Sequence, residues 1–180
     1  MRGRKSGRMS TTVEVHWLGH AATKLTSLTG KVIVIDPFLT PNPKTPPQYK
    51  NLDALGHVDV ILLTHGHFDH IADVAELAKR TGAKVYGPAG LIATLLDLGW
   101  IPPEQGIRFG KGGKVTPVGP QIVITQTRAE HSSEVTVIDP VTKKSTTYPG
   151  GEPAGFIVEF ENGFKLFHMG DTGLFGDMRL

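Results

Sequence analysis

The chain has 180 residues, of which 39% are hydrophobic and 20% charged, and its formal net charge is +2. That length supports one sizeable core, and that balance excludes an intrinsically disordered chain. There is no cysteine, so disulfides and thiolate metal ligands are excluded and any metal falls to His and carboxylates; no apolar run is long enough for a membrane-spanning helix, so no stable membrane insertion is expected.

In chain order, residues 1–10 hold Arg2, Arg4, Lys5 and Arg8, so the rest of the chain is slightly acidic. No apolar stretch follows, which excludes a secretory signal. No aromatic residue interleaves with the charges, so nucleic acid is not expected as a partner. Residues 1–12 read as a disordered basic tail, and residues 13–180 as one domain. Short strands are expected at 13–19 and 22–27, and a buried strand at 31–36 that ends in Asp36-Pro37. Residues 37–52 carry five prolines and read as a loop. Residues 58–64 are nearly all apolar, as in a strand covered on both faces, and deliver His65 at their end.

Beyond that point, Ile71, Val74, Leu77 and Ala78 recur at helical spacing, and Gly82 stops a helix expected over 71–81. A short strand at 84–86 and a second helix at 89–98, ended by Gly99, follow. Strands are expected at 114–118, 121–127 and 135–138. Residues 139–152 are polar and read as a loop. The Asn162-Gly163 turn between 156–161 and 165–168 is a strong hairpin signal. Strands mixed with helices, with chemistry at strand ends, indicate an α/β or α+β layered domain.

The chemistry concentrates in His65-Gly66-His67-Phe68-Asp69-His70. Four potential ligands lie within six residues, directly after a buried strand. Neutral imidazole suits zinc, iron, nickel and copper, and the carboxylate widens the choice to manganese. A loop at a strand end can turn His65 and His67 to one point and Asp69 and His70 to a second. Two metals at such points share a hydroxide whose pKa is lowered toward about 7. A lone His would be a weak signal; this density is not.

The run resembles the H-x-H-x-D-H signature of the metallo-β-lactamase superfamily. Further segments resemble one branch of it in the same order: Leu18-Gly19-His20-Ala21, Ile35-Asp36-Pro37-Phe38, Glu130-His131-Ser132-Ser133, Gly151-Glu152-Pro153-Ala154-Gly155-Phe156 and Gly170-Asp171-Thr172-Gly173. That branch of small metal-dependent hydrolases is similar to the ascorbate-6-phosphate lactonases and, more distantly, to the N-acyl-phosphatidylethanolamine phospholipases D. The resemblance implies an αββα sandwich, here expected to lack its C-terminal strands and helices, and two divalent metal ions, zinc or manganese. It implies that His65, His67 and His131 hold the first metal, that Asp69 and His70 help hold the second, and that Asp171 bridges them. Asp36 is expected to orient a ligand histidine through its N–H, with a turn-initiating Asp as the alternative. His20 is read either as facing the active site or as a structural hydrogen-bonder, and His168 as structural.

The implied activity is hydrolysis of a lactone or other ester, or of a phosphodiester, in a small-molecule substrate by a metal-bound hydroxide, with Asp69 orienting it and relaying a proton. A cytoplasmic setting is the simplest reading, and homo-oligomerisation is left open. Two other classes fit the same residues: a di-iron redox protein of this fold, and a non-catalytic metal-binding module. The family also carries one more His on a late loop, whereas no His follows His168 here. The chain is therefore expected to be C-terminally truncated or to borrow that ligand from another chain. By itself it is expected to bind at most one metal tightly, to show weak hydrolysis at most, and to expose apolar surface on its last hairpin.

Overall fold

The computed structural model describes residues 11–179; the basic run at 1–10 lies outside the described residues. Glu14–Trp17 (β1), Thr23–Thr26 (β2), Val32–Ile35 (β3), Val60–Leu62 (β4), Lys84–Pro88 (β5) and Gly106–Phe109 (β6) form one six-stranded sheet in that order. β1, β2 and β3 pair antiparallel, and β3 to β6 run parallel. A second, antiparallel sheet runs β12-β11-β8-β7, from Lys165–His168 (β12), Ala154–Glu159 (β11), Val123–Arg128 (β8) and Lys114–Val115 (β7).

The central strands are apolar without interruption because both faces are covered. In β3, Val32 and Val34 face one core while Ile33 and Ile35 face the other; in and after β4, Ile61 and Leu63 oppose Val60 and Leu62 in the same way. The first core lies under helices Val74–Thr81 (α2) and Ala89–Asp97 (α3), through Val74, Leu77, Ala78, Leu91, Ile92 and Leu95. The second lies between the sheets, where Leu25, Ile33, Ile35 and Leu62 meet Ile124, Phe156 and Val158. The order is therefore helices, sheet, sheet. The β11–β12 hairpin turns at Asn162-Gly163 as expected, and Phe164, Phe167 and Met169 are exposed along it.

Three sequence expectations are corrected. The helix expected over 71–81 is two pieces, Phe68–Ile71 (α1) and α2, because Asp73 turns aside between them. Its carboxylate accepts from the backbone N–H groups of Leu39 and Thr40, at 2.6 and 3.0 Å, and from the Thr40 hydroxyl. This ties the proline-rich segment to the start of α2. That segment, expected at 37–52 to be only loop, holds a 3-10 turn, Pro47–Lys50, and a second, Leu52–Leu55, follows at its end. The polar stretch 139–152 contains a strand, Ser145–Pro149 (β10), paired antiparallel with Glu134–Ile138 (β9). Backbone pairing forms it, not burial, since most of its residues are exposed. No helix among the described residues is long and apolar enough to cross a membrane.

Just before β4, Asp59 clamps two strands. Its carboxylate accepts from Val32 N–H at 2.8 Å and from Lys31 Nζ at 3.1 Å, with His57 Nε2 at 3.2 Å. Burial opposes its charge, but these donors outweigh burial and hold its pKa below the ordinary 3.8. A lowered carboxylate pKa contributes stability above the unfolded value and loses it as pH falls through the folded one. The stability difference between the protein and Asp59→Asn is therefore expected to be largest near neutral pH and to shrink as pH falls below 3.8. Urea unfolding midpoints across that range check this; a constant difference contradicts it.

Candidate metal centre

The site forms where the ends of the two sheets meet, joined there by Ala154 N–H donating to Thr64 C=O at 2.9 Å. β3 delivers Asp36, and β4 delivers Thr64 and the 65–70 run. The second sheet delivers His131 after β8 and Asp171 after β12. The loop at Asp171 is fixed to the loop at His131 by two hydrogen bonds: Glu130 N–H donates to Thr172 Oγ1 and Gly173 N–H to Glu130 C=O, each 2.8 Å. Ser133 Oγ accepts from Gly66 N–H at 3.1 Å and donates to Gly150 C=O at 2.9 Å, holding the 65–67 turn against the β9–β10 hairpin.

All the sequence-predicted residues converge. Among the described residues, three groups place donor atoms within 4.8 Å of one another: His65, His67 and His131; His65, His70 and Asp171; and His20, Asp69 and His70. His70 Nε2 and His131 Nε2 lie 3.5 and 3.9 Å from the same Asp171 oxygen, so that carboxylate, part of the second group, also reaches the first. His20 Nε2 is 2.9 Å from Asp69 Oδ2, and its ring centroid is 5.1 Å from that of His70. The His20 side chain is thus in the site, and it lines an open cleft of about 390 Å³ with Phe167, Met169 and Asp171.

Asp36 is fully buried and orients two of the histidines. Its Oδ2 accepts from His70 Nδ1–H at 2.8 Å and from Thr64 Oγ–H at 2.7 Å, and its Oδ1 accepts from Thr64 N–H at 2.8 Å. Because the Thr64 hydroxyl gives its proton to Asp36, it can only accept from His65 Nδ1, 3.0 Å away. One carboxylate thereby puts the outer proton on both rings and turns both Nε2 atoms inward. Burial and the nearby His70 hold the His65 pKa down at about 4, so this imidazole is neutral at pH 7. Burial also acts on His70, but Asp36 outweighs it and raises that pKa above the ordinary value; a metal at its Nε2 competes with a proton. Asp36 and His20 also have positive φ, 48° and 53°, and strain of this kind gathers at functional sites.

These residues fit a divalent cation. Among the described residues the buried His70 Nε2 has no hydrogen-bond partner, with Asp171 Oδ2 at 3.5 Å, and a buried polar atom is rarely left so. An imidazole and carboxylate donor set suits a borderline metal. His168, expected to be structural, donates from Nε2 to Ala21 C=O at 2.8 Å, and its Nδ1 accepts from Gly170 N–H at 3.3 Å. Gly170 has φ 62°, and a Cβ there would lie 2.9 Å from Ala154 O and from Thr64 Cβ. Gly170→Ala is therefore expected to destabilise the fold by about 1–3 kcal/mol and to weaken metal binding by displacing Asp171. Urea unfolding and zinc titration test it; full retention of both contradicts it.

Sequence reading missed Glu134, whose Oε2 lies 3.0 Å from His67 Nε2. It stands three residues after His131 in no motif, and the contact spans 67 positions, so no local signal marks it.

Fold and donor cluster together define a layered α/β protein with a histidine-rich metal-binding centre at the junction of its sheets. Residues 31–180 match the family described as the beta-lactamase superfamily domain, and the chain belongs to that family. It is 58% identical over 168 residues to a UPF0173 metal-dependent hydrolase of Cupriavidus necator, covering 93% of this chain and 58% of that one. A relative of the same name from Rubrobacter xylanophilus is 43% identical over 166 residues, covering 92% and 63%. The chain thus spans less than two thirds of the length of these curated relatives. Among solved structures it is similar to a metallo hydrolase from the hyperthermophilic archaeon Ignicoccus hospitalis, with 34% identity, a TM-score of 0.73, and coverage of 94% of this chain and 65% of that one. Zn(2+)-bound PqqB from Methylobacterium extorquens shares the fold at 18% identity and a TM-score of 0.52, covering 81% and 50%.

Proposed function

We propose that the chain forms the metal-binding body of a metal-dependent hydrolase that holds two divalent ions, zinc or manganese. The observation that carries this is the convergence of His65, His67, His70, His131 and Asp171 around inward-facing donor atoms, with the buried His70 Nε2 left without a hydrogen bond among the described residues. In this reading His65, His67 and His131 hold the first ion, Asp69 and His70 the second, and Asp171 both. A bound divalent ion supplies Lewis acidity toward a substrate oxygen and lowers the pKa of coordinated water toward about 7. The relatives' names, metal-dependent hydrolase and metallo hydrolase, support this chemistry.

The chain's own residues do the rest. Asp36 keeps the protons of His65 and His70 on their outer nitrogens. Asp69 and His20, 2.9 Å apart beside the cleft, are placed to pass a proton to a leaving group. Phe167 and Met169 give the cleft an apolar side against which a substrate body rests. A lactone or other ester is the favoured bond, through the resemblance to ascorbate-6-phosphate lactonases, and a phosphodiester the second.

The test loads the full-length protein with zinc or manganese, measures bound metal by mass spectrometry and screens lactones and phosphodiesters. Hydrolysis that a chelator removes and added metal restores is expected. Absence of bound metal, or hydrolysis indifferent to the chelator, overturns the proposal; bound metal with no hydrolysis of either class points instead to a binding module.

A further inference from the structure

We infer that Glu134 is a positioning residue that fixes the ring tautomer of His67 and so keeps the His65–His67 pair open to a cation. The inference rests on the reading of these two histidines as metal ligands. His67 presents its two ring nitrogens to different surroundings. Its Nδ1 faces His65 Nε2 at 3.0 Å, and its Nε2 faces Glu134 Oε2 at 3.0 Å and Ser132 Oγ at 3.3 Å. An ionised carboxylate only accepts hydrogen bonds, so beside Glu134 the His67 proton belongs on Nε2. Glu134 is exposed to solvent, and a solvated carboxylate is ionised at neutral pH.

The consequence lies on the inner side. With the proton on Nε2, His67 Nδ1 carries a lone pair. His65 Nε2 also carries one, because Thr64 and Asp36 hold the His65 proton on Nδ1. Two lone pairs 3.0 Å apart repel, and a cation placed between them relieves the repulsion. Without Glu134, His67 can move its proton to Nδ1 and donate to His65 Nε2. The pair then satisfies itself with an internal hydrogen bond that a metal must break. Glu134 thus decides between a self-satisfied pair and a cation-receptive one. It does so from the first residue of β9, three residues past His131, so the segment that brings one ligand also orients another.

The test compares the protein with Glu134→Gln, Glu134→Ala and the double variant Ser132→Ala/Glu134→Ala, in which the second acceptor near Nε2 is also gone. In metal-free protein, nitrogen NMR of the His67 ring is expected to show Nε2–H in the parent and a shift toward Nδ1–H in Glu134→Ala, strongest in the double variant. Zinc affinity by chelator competition is expected to fall 10–100-fold in Glu134→Ala, the range for losing a carboxylate behind a ligand histidine, with Glu134→Gln between because its amide oxygen still accepts. If the double variant keeps Nε2–H, or if Glu134→Ala binds zinc like the parent, the inference is wrong. If the parent binds no zinc at all, the proposed function fails, and the metal-free NMR still decides the role of Glu134.

Discussion

Replacing Asp36 with alanine is expected to destabilise the protein by about 3–5 kcal/mol, the range for removing one partner of a buried charged pair. Three buried donors converge on this carboxylate: Thr64 N–H, Thr64 Oγ–H and His70 Nδ1–H. Alanine leaves Thr64 N–H and His70 Nδ1–H without an acceptor, and Thr64 Oγ–H finds one only if His65 moves its own proton to Nε2. Burial works against the charge of both partners. Even so, their mutual contact lowers the Asp36 pKa and raises that of His70. The Asp36 contribution is present above the ordinary carboxylate value and is lost as pH falls through its lowered pKa. The His70 contribution is present below the ordinary histidine value and is lost as pH rises through its raised pKa. Metal-free protein is therefore expected to draw most from the pair between those limits. Asp36→Asn should fall between parent and alanine: Asn tolerates positive φ and offers one acceptor, but its NH₂ opposes His70 Nδ1–H. Urea unfolding of metal-free protein measures the loss, and a loss under about 1 kcal/mol in Asp36→Ala contradicts this account.

Asp69→Ala is expected to show the opposite profile. Asp69 is half-buried and its ion-pair partner His20 is partly exposed, so the stability of the metal-free protein should change by no more than about 0.5 kcal/mol. Turnover of the full-length, metal-loaded protein should fall about 10²–10⁴-fold, the range for losing a positioned proton-transfer group. His20→Ala should produce a smaller fall, because Asp69 keeps its place beside the cleft without it. The pair of aspartates thus separates folding from chemistry within one site. Turnover of Asp69→Ala equal to that of the parent rules out its proton role, whatever happens to metal content.

Much of this was legible in the sequence because the chemistry is dense and local. Four ligands in six residues need only a strand to present them, and the apolar run before His65 announced that strand. His131 and Asp171 became legible through resemblance, since spacing does not show that positions 65, 131 and 171 meet. The misses have physical causes. β10 is mostly exposed, so no apolar pattern marked it, although Thr146, Thr147 and Tyr148 favour extended backbone. The break between α1 and α2 arises because Asp73 bonds to Leu39 and Thr40, far from it in sequence, while helical periodicity runs on past it. Ser133 and Glu134 act through contacts to residues more than 60 positions away.

The donors for one metal centre arrive from both sheets, which are joined at that end by the Ala154 N–H to Thr64 C=O hydrogen bond and by His168 Nε2–H to Ala21 C=O. A cation seated there is therefore a fastener for the whole domain. An unfolded chain keeps the 65–70 run together but separates it from His131 and Asp171, so the ion favours the folded form, in which all of them meet. At free metal one hundred times its dissociation constant, such linkage adds about 2.7 kcal/mol. With metal bound as proposed, urea unfolding midpoints are therefore expected to rise with free zinc concentration.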